Sequence, residues 1–187
     1  MRHLIAGLCL ALLLGGCSTV NLDTAAKLRA LDYLRDDVAS LLIAFDVPRG
    51  LAPIEDVSTL NFDVVVPGEG ERHIKAALVR AEVDDVAANL AAPGAGRAYH
   101  LFGFAKADQA AIRAAQSWAH GDTGASSHAT IALVPRFCKS GALDPTQVTI
   151  SVLVALPGQT QLAPLVDQQL LADVLAASGG SDLPACA

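Results

Sequence analysis

The hydrophobic positions of this chain change period along its length. From Leu4 to Leu14 they run almost without interruption. From Leu22 to Ser40 they recur at three- and four-residue steps (Leu28, Leu31, Leu34, Val38), with Asp32, Arg35, Asp36 and Asp37 on the other face. That spacing predicts an amphipathic helix with Thr24 as its N-cap. The period then drops to two. Ser40 to Val47 reads as a strand closed by Pro48-Arg49-Gly50. Ser58 to Val66 alternates Leu60, Phe62, Val64 and Val66 with Thr59, Asn61 and Asp63, as a strand buried on one face does. The turn residues Pro67 to Glu71 make His73 to Ala81 its hairpin partner. Glu82 to Leu90 reads as a short helix, and Ala91 to Gly96 as a loop.

Arg97 to Phe104 is a further strand, and Ala107 to Ala119 an alanine-rich helix carrying Ile112, Ala115 and Trp118, with Trp118 at the edge of the core. After a polar loop from His120 to Ser127 come strands at Thr130 to Phe137 and Val148 to Leu156, joined by Cys138 to Thr146. The second is apolar almost throughout and suits the centre of a sheet. Pro157 to Pro164 reads as a loop, and Asp167 as the cap of a last helix from Gln168 to Ala177, ended by Gly179-Gly180. Short connections mean antiparallel pairing. The expected fold class is α+β: an antiparallel sheet or small sandwich of about six strands with three or four packed helices.

The opening run has a different purpose. Arg2, the apolar stretch Leu4 to Leu14 and the small residues Gly15-Gly16 form the three parts of a secretory signal peptide, and the stretch is too short to span a bilayer. Its end, Leu14-Gly15-Gly16-Cys17, resembles the lipobox of bacterial lipoproteins. The resemblance covers about the first eighteen residues. It implies removal of residues 1 to 16, diacylglycerol on the Cys17 sulfur, and in Gram-negative bacteria another acyl chain on the new amino terminus. Two or three chains anchor stably where one is marginal. Ser18 follows the cysteine where an aspartate would mark inner-membrane retention. The expected location is therefore the cell envelope, at the outer membrane facing the periplasm, with residues 17–187 as a single anchored domain (helix at 22–40, sheet and helices at 41–187).

Export also sorts the cysteines. Cys9 leaves with the signal and Cys17 carries lipid, so Cys138 and Cys186 remain in an oxidising compartment and are expected to form one disulfide. No Cys-x-x-Cys spacing or adjacent histidine favours a metal or redox pair. The bridge would staple the tail from Ser178 to Ala187 onto the end of a strand. Charge narrows the picture further: 13 Lys plus Arg against 19 Asp plus Glu gives −6, which excludes a nucleic-acid binder living on phosphate contacts. Loss of Arg2 takes the mature chain to −7.

No catalytic constellation emerges. Gly124-Ala125-Ser126-Ser127-His128 is not a Gly-x-Ser-x-Gly elbow and reads as a surface loop. His120, Asp122 and His128 could meet around one loop as metal ligands, but no histidines pair at i, i+4, and His73 and His100 read as outward strand residues. Glu82, Asp84 and Asp85 lack the EF-hand spacing, and Gly94-Ala95-Gly96 is not a phosphate loop. No cofactor or metal is implied. The function expected is that of a non-catalytic envelope lipoprotein, held at the membrane by lipid on Cys17, whose domain binds a protein partner. The alternative is a carrier of lipid or another apolar small molecule, with aliphatic strands and the alanine-rich helix lining a cavity. An envelope hydrolase using His100, His120 or His128 comes third.

Overall fold

Alternation in the middle of the chain is realised as a ladder of antiparallel strands. The computed structural model describes residues 20–81, 86, 89–120, 127–177 and 183–186. Among them are the helices α1 (Leu22–Ala30), α2 (Lys106–His120) and α3 (Leu171–Ala177), and a 3-10 turn at Val38–Ser40. The strands are β1 (Leu42–Pro48), β2 (Leu51–Pro53), β3 (Thr59–Val66), β4 (Gly70–Arg80), β5 (Arg97–Phe104), β6 (His128–Val134), β7 (Phe137–Lys139), β8 (Thr149–Ala155) and β9 (Ala163–Leu170). Seven strands form one sheet in the order β6-β3-β4-β5-β1-β8-β9, and β2 and β7 form a separate ribbon. The fold is α+β, with one antiparallel sheet that curls.

The registers carry a single apolar face across that sheet. Ile131 lies opposite Phe62 and Phe62 opposite Ile74, while Leu78 faces Phe104. Beyond them Phe102 faces Ile43, Ile43 faces Val154, and Val152 faces Val166. Directly opposed residues share a face, so these side chains make one continuous surface, and Phe45, Phe62, Phe102 and Leu78 in it are fully buried. Helix α2 packs on β3, β4 and the 3-10 turn. It buries Ile112, Ala115 and Ala119, and its buried Gln116 donates to the carbonyls of Tyr33 (2.8 Å) and Asp36 (2.7 Å), which satisfies two loop acceptors. Arg97 ties three strands at one end of the sheet, through Asp46 Oδ1 (2.8 Å), the Asp46 carbonyl (2.8 Å) and the Thr149 carbonyl (3.2 Å).

Four elements depart from the pattern in the sequence. The first helix ends at Ala30, not Ser40, because the Asp32 carboxylate accepts from the Leu34 amide (3.1 Å) and the Asp36 carboxylate from the Asp32 amide (2.8 Å). Such local acceptors compete with the helical ladder. Its N-cap is Asn21, whose Oδ1 accepts from the amide of Thr24, the residue predicted to cap.

The predicted strand from Thr130 to Phe137 is two strands, β6 and β7, divided at Pro135, which has no amide proton to continue a ladder. The short β2, absent from the prediction, pairs with β7 after Gly50 makes its turn at φ +90. The last helix starts at Leu171, and the residues before it form β9. Asp167 does not cap it; its carboxylate accepts from the Ser151 hydroxyl (2.9 Å) in the bulged β8–β9 pairing. The short helix predicted over Glu82 to Leu90 lies mostly outside the described residues, since 82–85, 87 and 88 are not among them.

Candidate functional site

Curling brings the two edges of the seven-stranded sheet toward one another, and an aliphatic cleft of about 540 Å³ occupies the seam. Leu133 and Val134, with Pro135, supply one wall from β6, at one edge of the sheet. Ile150 and Val152 from β8, with Leu165 and Val166 from β9, supply the other, and Val174 of α3 closes one side. The β8–β9 wall is fixed from behind. Ser151, pointing away from the cleft residues on either side of it, donates to Asp167 and accepts from the Gln168 amide (3.0 Å). That bulge holds Val152 and Val166 on the cleft side. The polar residues lining the cleft are Gln169 and Asp173, and they bind each other, Gln169 Nε2 donating to Asp173 Oδ2 at 2.9 Å. The volume falls within the roughly 300–1,000 Å³ of small-molecule sites, whose linings are mostly apolar with few polar groups.

The chain enters the described structure at this seam. Val20 lines the cleft and bridges Val166, and the Asn21 amide donates to the Leu165 carbonyl (2.9 Å). The first described residue is thereby paired along the outer side of β9. Val20 and Leu22, on either side of Asn21, are both exposed hydrophobics.

No family model matches this chain, and no curated protein or solved structure matches it either. The site is therefore read from its own chemistry.

The sequence-predicted residues fall as follows. Cys17 lies outside the described residues. Cys138 and Cys186 form a disulfide, and around it the Lys139 amide donates to the Pro184 carbonyl (2.9 Å) and the Cys186 amide to the Lys139 carbonyl (3.0 Å), with Leu183 buried. The described tail residues, Leu183 to Cys186, are thus stapled to β7, as expected. Trp118 packs against the core, with the Arg72 guanidinium 4.2 Å from its ring centre.

Among the described residues no three His, Cys, Asp or Glu side chains converge on a possible metal position, and no helix is long and apolar enough to cross a membrane. Asp122, Glu82, Asp84, Asp85 and Gly124 to Ser126 lie outside the described residues; Ser127 Oγ is buried without a hydrogen-bond partner and His128 is exposed.

The two strand histidines differ. His73 points outward, with Nδ1 2.8 Å from Asp63 and Nε2 3.3 Å from Glu71. His100 does not. It sits directly opposite the buried Phe45 and shares its parity with Phe102 and Phe104, so it belongs to the apolar face, and its Nδ1 is buried without a partner. The outward reading failed because the apolar neighbours of His100 are two and four residues away, on its own side of the strand.

These settings give opposite titrations. The hydrogen bond to Asp63, with the charges of Asp63 and Glu71, holds His73 above its ordinary value. Burial, with the positive charge of Arg80, pushes His100 below it, against the opposing pull of Glu55. Proton NMR should therefore record His73 titrating above about 6.5 and His100 below it. The stability contributed by His73 is complete below pH ~6.5 and fades as pH rises through its folded value. That of neutral His100 is complete above pH ~6.5 and fades as pH falls through its folded value. The His73 effect is solvent-screened and should shrink with salt. Coincident midpoints for the two histidines would refute this assignment.

Sequence reasoning missed Leu165, Val166 and Val174 as site residues. A signal was present in the short apolar run Leu162 to Val166, bounded by Pro157-Gly158 and the polar Asp167-Gln168-Gln169, which is consistent with a strand as well as a loop. The alanine-rich helix does not line this cleft. Strands and α3 line the cleft, and α2 packs elsewhere.

Proposed function

We propose that this chain is a lipid-anchored protein of the cell envelope, attached to the outer membrane through Cys17 and facing the periplasm, whose domain binds an apolar ligand without catalysing a reaction. The observation that carries the ligand half is the cleft: a concave, mostly aliphatic surface whose two polar residues, Gln169 and Asp173, are hydrogen-bonded to each other. Such a surface offers mostly apolar contact and few directional ones, so it favours an apolar occupant. The anchoring half rests on Leu14-Gly15-Gly16-Cys17 behind an apolar run.

The test takes the Cys17→Ala variant, expected to carry no lipid, and titrates it with the uncharged fluorescent probe N-phenyl-1-naphthylamine. Adding Val174→Trp fills the cleft and should weaken probe binding by roughly tenfold, which is about 1.4 kcal/mol. Unchanged probe affinity in the filled variant would sink the ligand half. Persistent lipid labelling of Cys17→Ala would sink the anchoring half.

A second reading keeps the protein partner. It is favoured by β6, which has a strand neighbour on one side only among the described residues and so presents backbone groups to which a partner strand could add. A peptide that binds the Cys17→Ala protein and protects the β6 amides from hydrogen exchange would support it.

A further inference from the structure

We infer that the occupant of the seam cleft is an acyl chain of the lipid carried by the protein's own Cys17. This rests on the anchoring proposed above and adds to it the identity of the ligand. Val20 is a wall of the cleft, and its position is fixed by the bridge to Val166 and by the Asn21 amide on the Leu165 carbonyl. Cys17 is three residues upstream, and three extended residues reach at most about 11 Å. The acylated sulfur is therefore confined to the neighbourhood of the cleft wall wherever the intervening residues lie.

A membrane acyl chain extends over about half of the ~30 Å hydrocarbon core, roughly 15 Å, which exceeds that tether. The chain can thus reach Val20 and continue along Val166 and Val174, which line the same cleft.

Three features favour this occupant. The lining is mostly aliphatic, which suits methylene groups, and its two polar residues, Gln169 and Asp173, are hydrogen-bonded to each other. Acylation of the new amino terminus removes the ammonium charge that would otherwise sit near an apolar wall. A chain covalently held by so short a tether also has an effective concentration in the millimolar range, whereas a free ligand must supply its own. Because the lipid carries three chains, placing one in the cleft leaves two for the bilayer, still enough for stable attachment. The exposed Val20 and Leu22 at the chain's entry then lie beside the lipid and not in open solvent.

The test uses the full chain, expressed with its signal in a Gram-negative host, with Ala177→p-benzoylphenylalanine placing a photoreactive group among the cleft-lining residues. A second protein carries Lys75→p-benzoylphenylalanine on the exposed surface of β4. After irradiation of intact cells and proteolysis, mass spectrometry reads what each probe has captured. The expected result is a cross-link from position 177 to the acyl group of the Cys17 peptide, at least tenfold more abundant than from position 75. A phospholipid or another protein as the main adduct at position 177, equal capture by both probes, or no adduct would overturn the inference while leaving anchoring intact. The mass of the Cys17 peptide in the same digest separates the two claims, since an unacylated cysteine overturns the anchoring and this inference together.

Discussion

Replacing both members of the disulfide, Cys138→Ala with Cys186→Ala, is expected to destabilise the domain by about 4 kcal/mol, the chain-entropy value for a loop of this size. The bridge joins residues separated by 48 positions. It ties the tail to β7, a three-residue strand whose only ladder partner among the described residues is the equally short β2. A two-stranded ribbon is marginal by itself, so the cross-link contributes most where pairing contributes least. Domain stabilities are typically about 5–15 kcal/mol, and a loss of this size should show in urea unfolding as a large fall in midpoint. A change of less than about 1 kcal/mol would mean that Leu183 and the tail hydrogen bonds hold the segment without the bridge.

Phe45→Ala should cost about 3–5 kcal/mol, the range for truncating a buried aromatic ring. Phe45 is fully buried in β1 and makes edge-to-face contacts with Phe102 (5.8 Å between centres) and Phe137 (5.7 Å). The second contact joins the main sheet to the β2–β7 ribbon, and Phe137 is the neighbour of Cys138. The two perturbations therefore share an element. Combining Phe45→Ala with the loss of the disulfide should cost less than the sum of the separate losses, because a loosened β7 has already surrendered part of the Phe137 contact. Strict additivity in an unfolding cycle would show that the bridge and the aromatic contact act independently.

The legibility of the fold varied with how local its causes are. β3, β5 and α2 were readable because each carries its period within its own residues: Leu60, Phe62, Val64 and Val66 at alternate positions, and Ile112, Ala115 and Ala119 on one helical face. β5 begins and ends at Arg97 and Phe104, as predicted, after the loop at Ala91 to Gly96. β9 was not readable. Its Asp167, Gln168 and Gln169 break the apolar pattern, and Gln168 takes a positive φ of 49° at the bulge, a conformation imposed by pairing with β8 and bonding to Ser151. The shortened first helix depended on two aspartates accepting backbone amides, where composition alone favoured continuation. The inward face of His100 was legible in part, from its shared parity with Phe102 and Phe104, and the β1–β5 register, with Phe45 directly across from it, decides it.

By itself the sequence determined the α+β class and the antiparallel hairpin of β3 with β4, because these follow from residue periodicity and a short turn, and it led to the pairing of Cys138 with Cys186 that the structure contains. It also carries the lipobox-like Leu14 to Cys17, a signal read in linear form. The cleft was decided only by the tertiary structure. Its walls come from Val20, Leu133 to Pro135, Ile150 and Val152, Leu165 and Val166, and Val174, segments that no local pattern connects. They meet because one apolar face, continuous through six antiparallel pairings, buries itself by curling, and the curl brings β6 and β9 to either side of the seam, where Val20 bridges Val166.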